Sequence, residues 1–413
     1  MKKIKKVNYC RLCKSRKLVK VLDFGRTPPA NSFLTRSQLR KKEDFFPLVV
    51  SFCSNCGFLT LGHIVDPKIL YSNYVYVSST SPIFIKHFED LANSVYSRFK
   101  LGKESLVIDI GSNDGILLKP FKKLGAKILG IEPATNISKL ARKNGIPTVS
   151  AFFKEKVAKR IVAQKGKAKI VTATNLFTHI DDLDEVVRGV KKLLTDDGVF
   201  IIEVYYLVDL LEKRYFDLIY HEHLSYLSIL PLDKFFKTHG MKIFDVTRIP
   251  VHGGSIRIFV KPITGPYHTH KSVTVFINLE KEKKLFDVAT YKRFADNVKA
   301  NKLELIKLLK KLKRQNKSIA GYGAPAKSTT LLHYFGIGKE VLDFIADDSP
   351  YKQGLFTPGT HIPVVSPVQI YKKKPDYLFL LAWNFADSIV KMQRAFAADG
   401  GRFIIPVPKP RLF

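Results

Sequence analysis

The sequence predicts an α/β protein assembled from a small cysteine-bearing N-terminal domain, a doubly wound central domain and a C-terminal Rossmann-like domain. Three observations carry that expectation. All four cysteines of the 413-residue chain fall within its first 56 residues. The apolar run 106–110 passes through Gly111 and Gly115 into residues at helical spacing, the opening of a parallel sheet. From about Arg314 the same pattern restarts, with 318–323 running into a G-x-G-x-x-A turn at Gly321, Gly323 and Ala326. The expected domains are 1–75, 76–250 and 251–413, in keeping with a chain too long for one hydrophobic core.

Composition narrows the function classes. Hydrophobic residues make up 46% and aromatic residues 12%, which argues against extensive disorder. Apolar runs such as 169–174 and 377–382 fall well below the roughly 18 to 20 residues that a membrane span needs. Lys2, Lys3, Lys5 and Lys6 open the chain like a signal peptide, but Asn8, Tyr9 and Cys10 stand where its apolar stretch should begin. A cytoplasmic location without membrane attachment is expected. The net charge of +33 raises the idea of a nucleic-acid partner. The lysines, however, are spread through every region, and runs such as Lys372 to Lys374 precede strands or decorate helix faces. No nucleic-acid partner is expected, the positive field suits a phosphorylated small molecule, and the chain is expected to act as a monomer.

Cys10 and Cys13, then Cys53 and Cys56, form two C-x2-C knuckles. One tight turn with a two-residue spacer presents two sulfurs to one ion, and two such turns complete a tetrahedral zinc site with no open position. The zinc is therefore expected to be structural. The long interval between knuckles must fold back, and Pro28, Pro29 and Asn31 supply turn material for that. Two disulfides are the alternative, disfavoured in a cytoplasmic chain.

In the central domain, the strand 106–110 carries Asp109 and runs into Gly111, Ser112, Asn113, Asp114 and Gly115. Glycines let the backbone pass close under a ligand, and the helix N-terminus behind them favours an anionic carboxylate. The second strand, 126–131, ends at Glu132, where an acid can accept hydrogen bonds from ribose hydroxyls. Asp109, the turn through Gly111, Asn113 and Gly115, and Glu132 together resemble the S-adenosylmethionine (SAM)-binding half of class I methyltransferases. A further strand at 170–173 leads to Asn175 and His179, and another at 199–204 ends with Glu203, Tyr205 and Tyr206. Strand ends of this kind lie at the ligand edge of a doubly wound sheet.

Tyr220, His221, Glu222 and His223 then stand consecutively. Histidine can shuttle a proton near neutral pH, and an adjacent carboxylate or phenol can orient it or steady an enolate. A metal site at His221 and His223, or an inert buried cluster, are the other readings; the H-E-x-x-H zinc pattern is absent and no third ligand is evident.

At this point the chain resembles, from end to end, the sugar C-methyltransferases of deoxysugar pathways, which methylate C3 or C5 of a nucleotide-linked sugar. The run at 220–223, the segment His252-Gly253-Gly254-Ser255-Ile256-Arg257, the segment Gly321-Tyr322-Gly323-Ala324-Pro325-Ala326-Lys327 and the segment 348–354 that opens on Asp348 carry the resemblance. It implies SAM as methyl donor, zinc in the N-terminal domain and a nucleotide-linked keto-sugar as substrate. By the same resemblance His223 is the general base, Tyr220 and Glu222 support it, and Asn175 and His179 lie close to the reacting centre. His252, Gly254, Gly323, Lys327 and Asp348 would then meet the substrate, with the glycine turn and Lys327 as a phosphate or nucleotide cradle. A C3 proton becomes acidic beside a C4 ketone, so C3 is the favoured carbon, reached through an enolate.

The C-terminal fingerprint leaves two other readings open, a relic with packing duties and a working dinucleotide site. The second would make the chain an NAD-dependent oxidoreductase. The charge and the knuckles suggest a zinc-containing RNA methyltransferase instead. Both rivals leave the Tyr-His-Glu-His run without a role.

Overall fold

The computed structural model describes residues 3–71, 77–80 and 82–413, and the side chains of Thr80, Pro82 and His252 lie outside that description. The expectation for His252 therefore falls outside the described residues.

The centre of the molecule is a seven-stranded sheet in the order Met241–Ile249, Ser255–Pro262, Leu194–Tyr205, Ala168–Thr174, Leu106–Ile110, Lys127–Ile131, Thr148–Val149. The last five of these run parallel to one another, and Ser255–Pro262 lies antiparallel to both of its neighbours. All five residues of Leu106–Ile110 are buried, as a parallel strand covered by helices on both faces requires. Chain order reverses between Leu106–Ile110 and Ala168–Thr174, which opens a crevice beyond their carboxyl ends. The helix Leu183–Leu193 shows how the covering layer is specified. Leu183, Val186, Val187, Val190 and Leu193 form its buried stripe, the Asp182 carboxylate caps its start by accepting from the Glu185 N–H, and Lys191 and Lys192 close its last turn.

Ser255–Pro262 lies beyond the expected boundary at residue 250 yet completes the central sheet. Ile256, Ile258 and Val260 alternate into the core, and the short 250–254 connection folds this strand directly back on Met241–Ile249.

The N-terminal sheet runs Ser225–Tyr226, Leu59–Leu61, Phe46–Cys53, Leu18–Thr27. Its first strand is lent by the central part of the chain, immediately after the Tyr-His-Glu-His run. The C-terminal sheet runs Val364–Val365, Ile345–Ala346, Ile319–Tyr322, Tyr377–Leu380, Arg402–Ile405, Arg411–Leu412, parallel except at its last pair. The 27-residue helix Val288–Arg314 leads into it, burying Tyr291, Phe294, Val298, Asn301, Leu305, Leu309 and Leu312 along one stripe. Among the described residues no helix is long and apolar enough to cross a membrane.

Candidate active site

The four cysteine sulfurs lie within 4.8 Å of one another. Cys10 Sγ stands 3.6 Å from Cys56 Sγ, and Cys13 Sγ stands 3.6 Å from Cys53 Sγ. These separations are far from a disulfide of about 2.05 Å. They are close to the edge, about 3.8 Å, of a tetrahedron of sulfurs around one zinc ion. The donor set fits zinc and leaves no position for water, so the site is structural.

A cavity of about 720 Å³ is lined by residues from the N-terminal, central and C-terminal parts of the chain. The central sheet contributes Asp109, Gly111, Asn113, Glu132 and Asn175, all at strand ends. Asn31 and Tyr71 come from the N-terminal part, Tyr220, His221, Glu222 and His223 from the run, and Lys327, Lys352 and Asn384 from the C-terminal part.

At one end, the chain turns through Gly111 at φ +74° and Asn113 at φ +48°. Both oxygens of Glu132 are engaged beneath this turn, Oε2 accepting from the Asn113 N–H at 3.1 Å and Oε1 from the Ala134 N–H at 2.8 Å. A carboxylate oxygen has two lone pairs, so each retains capacity toward the cavity. The Ser112 hydroxyl on the same wall is buried and has no hydrogen-bond partner among the described residues. Asp109 accepts from Thr172 Oγ1 at 2.6 Å, and burial pushes its carboxyl up to about 7. An open-backed turn, an acid with free lone pairs and an orphaned hydroxyl suit a polar nucleoside such as SAM. Gly115 lies off the wall; at φ +84° a Cβ there would stand 2.6 Å from Ile146, so its backbone and its lack of a side chain serve packing.

In the middle of the cavity, the Nδ1–H of His223 donates to the Leu218 carbonyl at 2.6 Å. A carbonyl only accepts, so Nδ1 carries the proton and Nε2 keeps its lone pair. The Tyr205 hydroxyl, 2.8 Å from Nδ1, lies closer still to Nε2 and donates to it. Burial pushes the pKa of that Tyr205 hydroxyl up. The Tyr220 ring lies 3.8 Å, centroid to centroid, from the His223 imidazole, tilted 41° to it. The His179 ring lies 5.0 Å from that of His223 and takes the Tyr71 hydroxyl on Nδ1 at 3.1 Å. Burial lowers His179 to about 4, so it is neutral at physiological pH. Glu222 accepts from Asn31 Nδ2 at 2.7 Å. Asn175 takes φ +53° and donates its N–H to the Glu203 carbonyl at 2.6 Å, placing its side chain at the strand's ligand edge. His221 turns the other way, with Nε2 donating to the Phe46 carbonyl at 3.2 Å.

At the far end, Lys327 sits in the first turn of the helix Ala326–Phe335. Its Nζ donates to Asn384 Oδ1 at 2.6 Å and rests 3.2 Å over the Trp383 ring. Burial lowers its ammonium to about 7. Lys352 donates to the Ala324 carbonyl at 2.9 Å. Three residues expected to meet substrate lie off the cavity wall. A Cβ at Gly254 would stand 2.5 Å from the Asp209 carboxylate, and one at Gly323 would stand 2.6 Å from Ala382, so both glycines answer to close backbone approach. Asp348 is held by the Tyr322 hydroxyl at 3.1 Å. The sequence places Tyr205 at a ligand-edge strand end without giving it a role, and it gives Lys352 none.

An acid-closed glycine turn on the first strand, at the switch point of this sheet order, and a closed four-thiolate centre define the class as a zinc-bearing, SAM-dependent methyltransferase. Family profiles divide the chain in the same sense, as a zinc binding domain over 10–71, a methyltransferase domain over 85–246 and a C-methyltransferase C-terminal domain over 250–408. C-methyltransferase NovU of Streptomyces niveus is 36% identical over 409 residues, covering 99% of this chain and 97% of that protein. The chain belongs to the SAM-dependent C-methyltransferase family. A ubiquinone biosynthesis O-methyltransferase of Colwellia psychrerythraea aligns at 23% identity over 181 residues, 41% of this chain and 70% of that protein. The solved structure of a SAM-dependent methyltransferase from Clostridium acetobutylicum overlaps 44% of this chain and 92% of its own, at 13% identity and a TM-score of 0.35.

Proposed function

We propose that this C-methyltransferase acts on a ring carbon, C3 by preference, of a nucleotide-linked 4-keto-deoxysugar, and that His223 removes the proton from that carbon. The observation that carries the reading is the tautomer of His223: its Nδ1 proton is tied to Leu218, which leaves Nε2 as the basic atom. SAM, held at the turn of Gly111, Asn113 and Glu132, supplies an electrophilic methyl group. Nε2 of His223 accepts the C3 proton and becomes imidazolium, and the electron pair of the C–H bond moves toward the C4 oxygen. Neutral donors are the right partners for that developing charge, and Tyr220, Tyr205 and neutral His179 surround the spot. Holding the carbon and the methyl group side by side in one cavity makes their encounter effectively unimolecular. Lys327, Lys352 and the N-terminus of the helix Ala326–Phe335 face the same cavity and suit the diphosphate of the nucleotide.

Mass spectrometry of the purified protein with SAM and a panel of 4-keto-deoxysugar nucleotides tests this. Expected is a product heavier by one methylene, made from a 4-keto substrate and absent with the 4-hydroxy analogue. Equal methylation of the 4-hydroxy analogue would overturn the enolate route.

A further inference from the structure

Arg11 lies inside the first zinc knuckle, between Cys10 and Cys13, and its side chain is wholly buried. Its Nε donates to Asp181 Oδ1 at 3.1 Å, two residues beyond His179. Its Nη1 donates to the Leu61 carbonyl at 2.6 Å, to the Thr60 hydroxyl, and to the Leu224 carbonyl at 3.4 Å, one residue beyond His223. Thr60 Oγ1 and the Leu61 N–H both donate to that same Leu224 carbonyl, each at 2.9 Å. The Leu224 N–H in turn donates to the Thr178 carbonyl at 2.8 Å, next to His179. One guanidinium thus reaches both histidine-bearing segments, which are 44 residues apart in the chain by their numbers, 223 and 179.

Stability alone is a poor account of this residue. A buried guanidinium is desolvated at high cost, and Nη2 of Arg11 has no partner among the described residues. An apolar side chain of similar volume would fill the space without that cost. What it would lack is a rigid fork that fixes two separate backbones at once.

We propose that Arg11 is a positioning residue through which the zinc knuckle sets the spacing of His179 and His223. The metal domain thereby governs the geometry of methyl transfer as well as its own fold. This rests on the reading of those two histidines given above. The zinc-bound cysteines anchor the backbone on either side of Arg11, and the guanidinium carries that anchorage about one side-chain length into the site.

The test uses full-length protein carrying Arg11→Gln, Asp181→Asn or both. Each single variant should keep one zinc per chain and its SAM affinity by calorimetry. Each should lower kcat for methyl transfer by up to about 100-fold, the effect of misplacing reacting groups by about 1 Å, with KM for SAM unchanged. The double variant should be no slower than Arg11→Gln, and Arg11→Lys should recover part of the loss. Amide hydrogen exchange at 220–226 should speed up in Asp181→Asn, because the Asp181 carboxylate holds the guanidinium that bonds the Leu224 carbonyl. Multiplying effects in the double variant, or wild-type exchange at 220–226 in Asp181→Asn, would overturn the proposal, and the second measurement stands even where Arg11→Gln does not fold. Absence of turnover of any keto-sugar nucleotide by the unaltered enzyme would instead remove the proposed substrate and leave the exchange result to decide Arg11.

Discussion

The Tyr205 hydroxyl lies against Nε2 of His223, the ring nitrogen that carries the lone pair while Nδ1 donates its proton to the Leu218 carbonyl. A base held this way is oriented, but its proton-accepting atom is already engaged. Substrate must take the place of the phenol at Nε2, or the phenol must pass the proton on. His223→Asn should keep zinc and SAM affinity and lose methyl transfer by the roughly 100- to 10,000-fold typical of a missing general base. It should also stop solvent deuterium from entering C3 when SAM is replaced by its demethylated product. Tyr205→Phe distinguishes the two routes: exchange as fast as wild type means that the phenol only orients, and loss of exchange means that it relays the proton.

Glu132 ties two backbone N–H groups of the turn, from Asn113 and Ala134. Glu132→Ala leaves both buried donors unpaired, at about 1–3 kcal/mol each, and removes the acceptor for the ribose. SAM affinity should fall at least about tenfold while circular dichroism stays native, and Glu132→Gln should lie between. Unchanged affinity in calorimetry would move the ribose elsewhere in the cavity.

The zinc site gives a prediction by stoichiometry. Metal analysis should return one zinc per chain, because the structure gathers the four cysteines of the sequence into one cluster. Chelation should abolish activity and loosen the N-terminal sheet, whose edge strand is Ser225–Tyr226. Protein that is folded and active without zinc would sink the assignment.

Much of this was legible in sequence where the chemistry is local. A C-x2-C knuckle states its own geometry, and Gly111, with Asp109 before it and Glu132 after, reads directly as a ligand-edge turn. What is not local was missed. Nothing in the sequence says that Ser225–Tyr226 pairs with Leu59–Leu61, so neither the support of His223 by the metal domain nor the contact between Asn31 and Glu222 was foreseeable. The strand end puts Tyr205 at the ligand edge, but no motif ties it to His223, so their contact was missed. At Gly254 and Gly323 a glycine in a motif marks a close approach, and the approaching group in the structure is Asp209 or Ala382. The strand Ser255–Pro262 joined the central sheet because its alternating apolar residues found a neighbour across a short turn, a preference that motif boundaries do not express.

Lys327 offers the sharpest test of the nucleotide end. Burial lowers its ammonium to about 7, and the nearby Asp217 carboxylate acts in the opposite direction without restoring the ordinary value. At pH 8 the free enzyme therefore holds Lys327 largely neutral. A diphosphate beside Nζ favours the charged form and raises that pKa, so binding at pH 8 should take up close to one proton, and at pH 6 almost none. Asp217, pushed up to about 6 by burial, is ionised at pH 8 and does not mask the effect there. Calorimetry of UDP binding in two buffers of different ionisation enthalpy reads the uptake directly. Lys327→Gln should abolish it, leave SAM affinity intact and raise KM for the nucleotide-sugar roughly tenfold to a hundredfold, the loss of one hydrogen bond to a charged group. Uptake that persists in Lys327→Gln would show that another group titrates on binding, and Lys327 would then be a packing residue over Trp383.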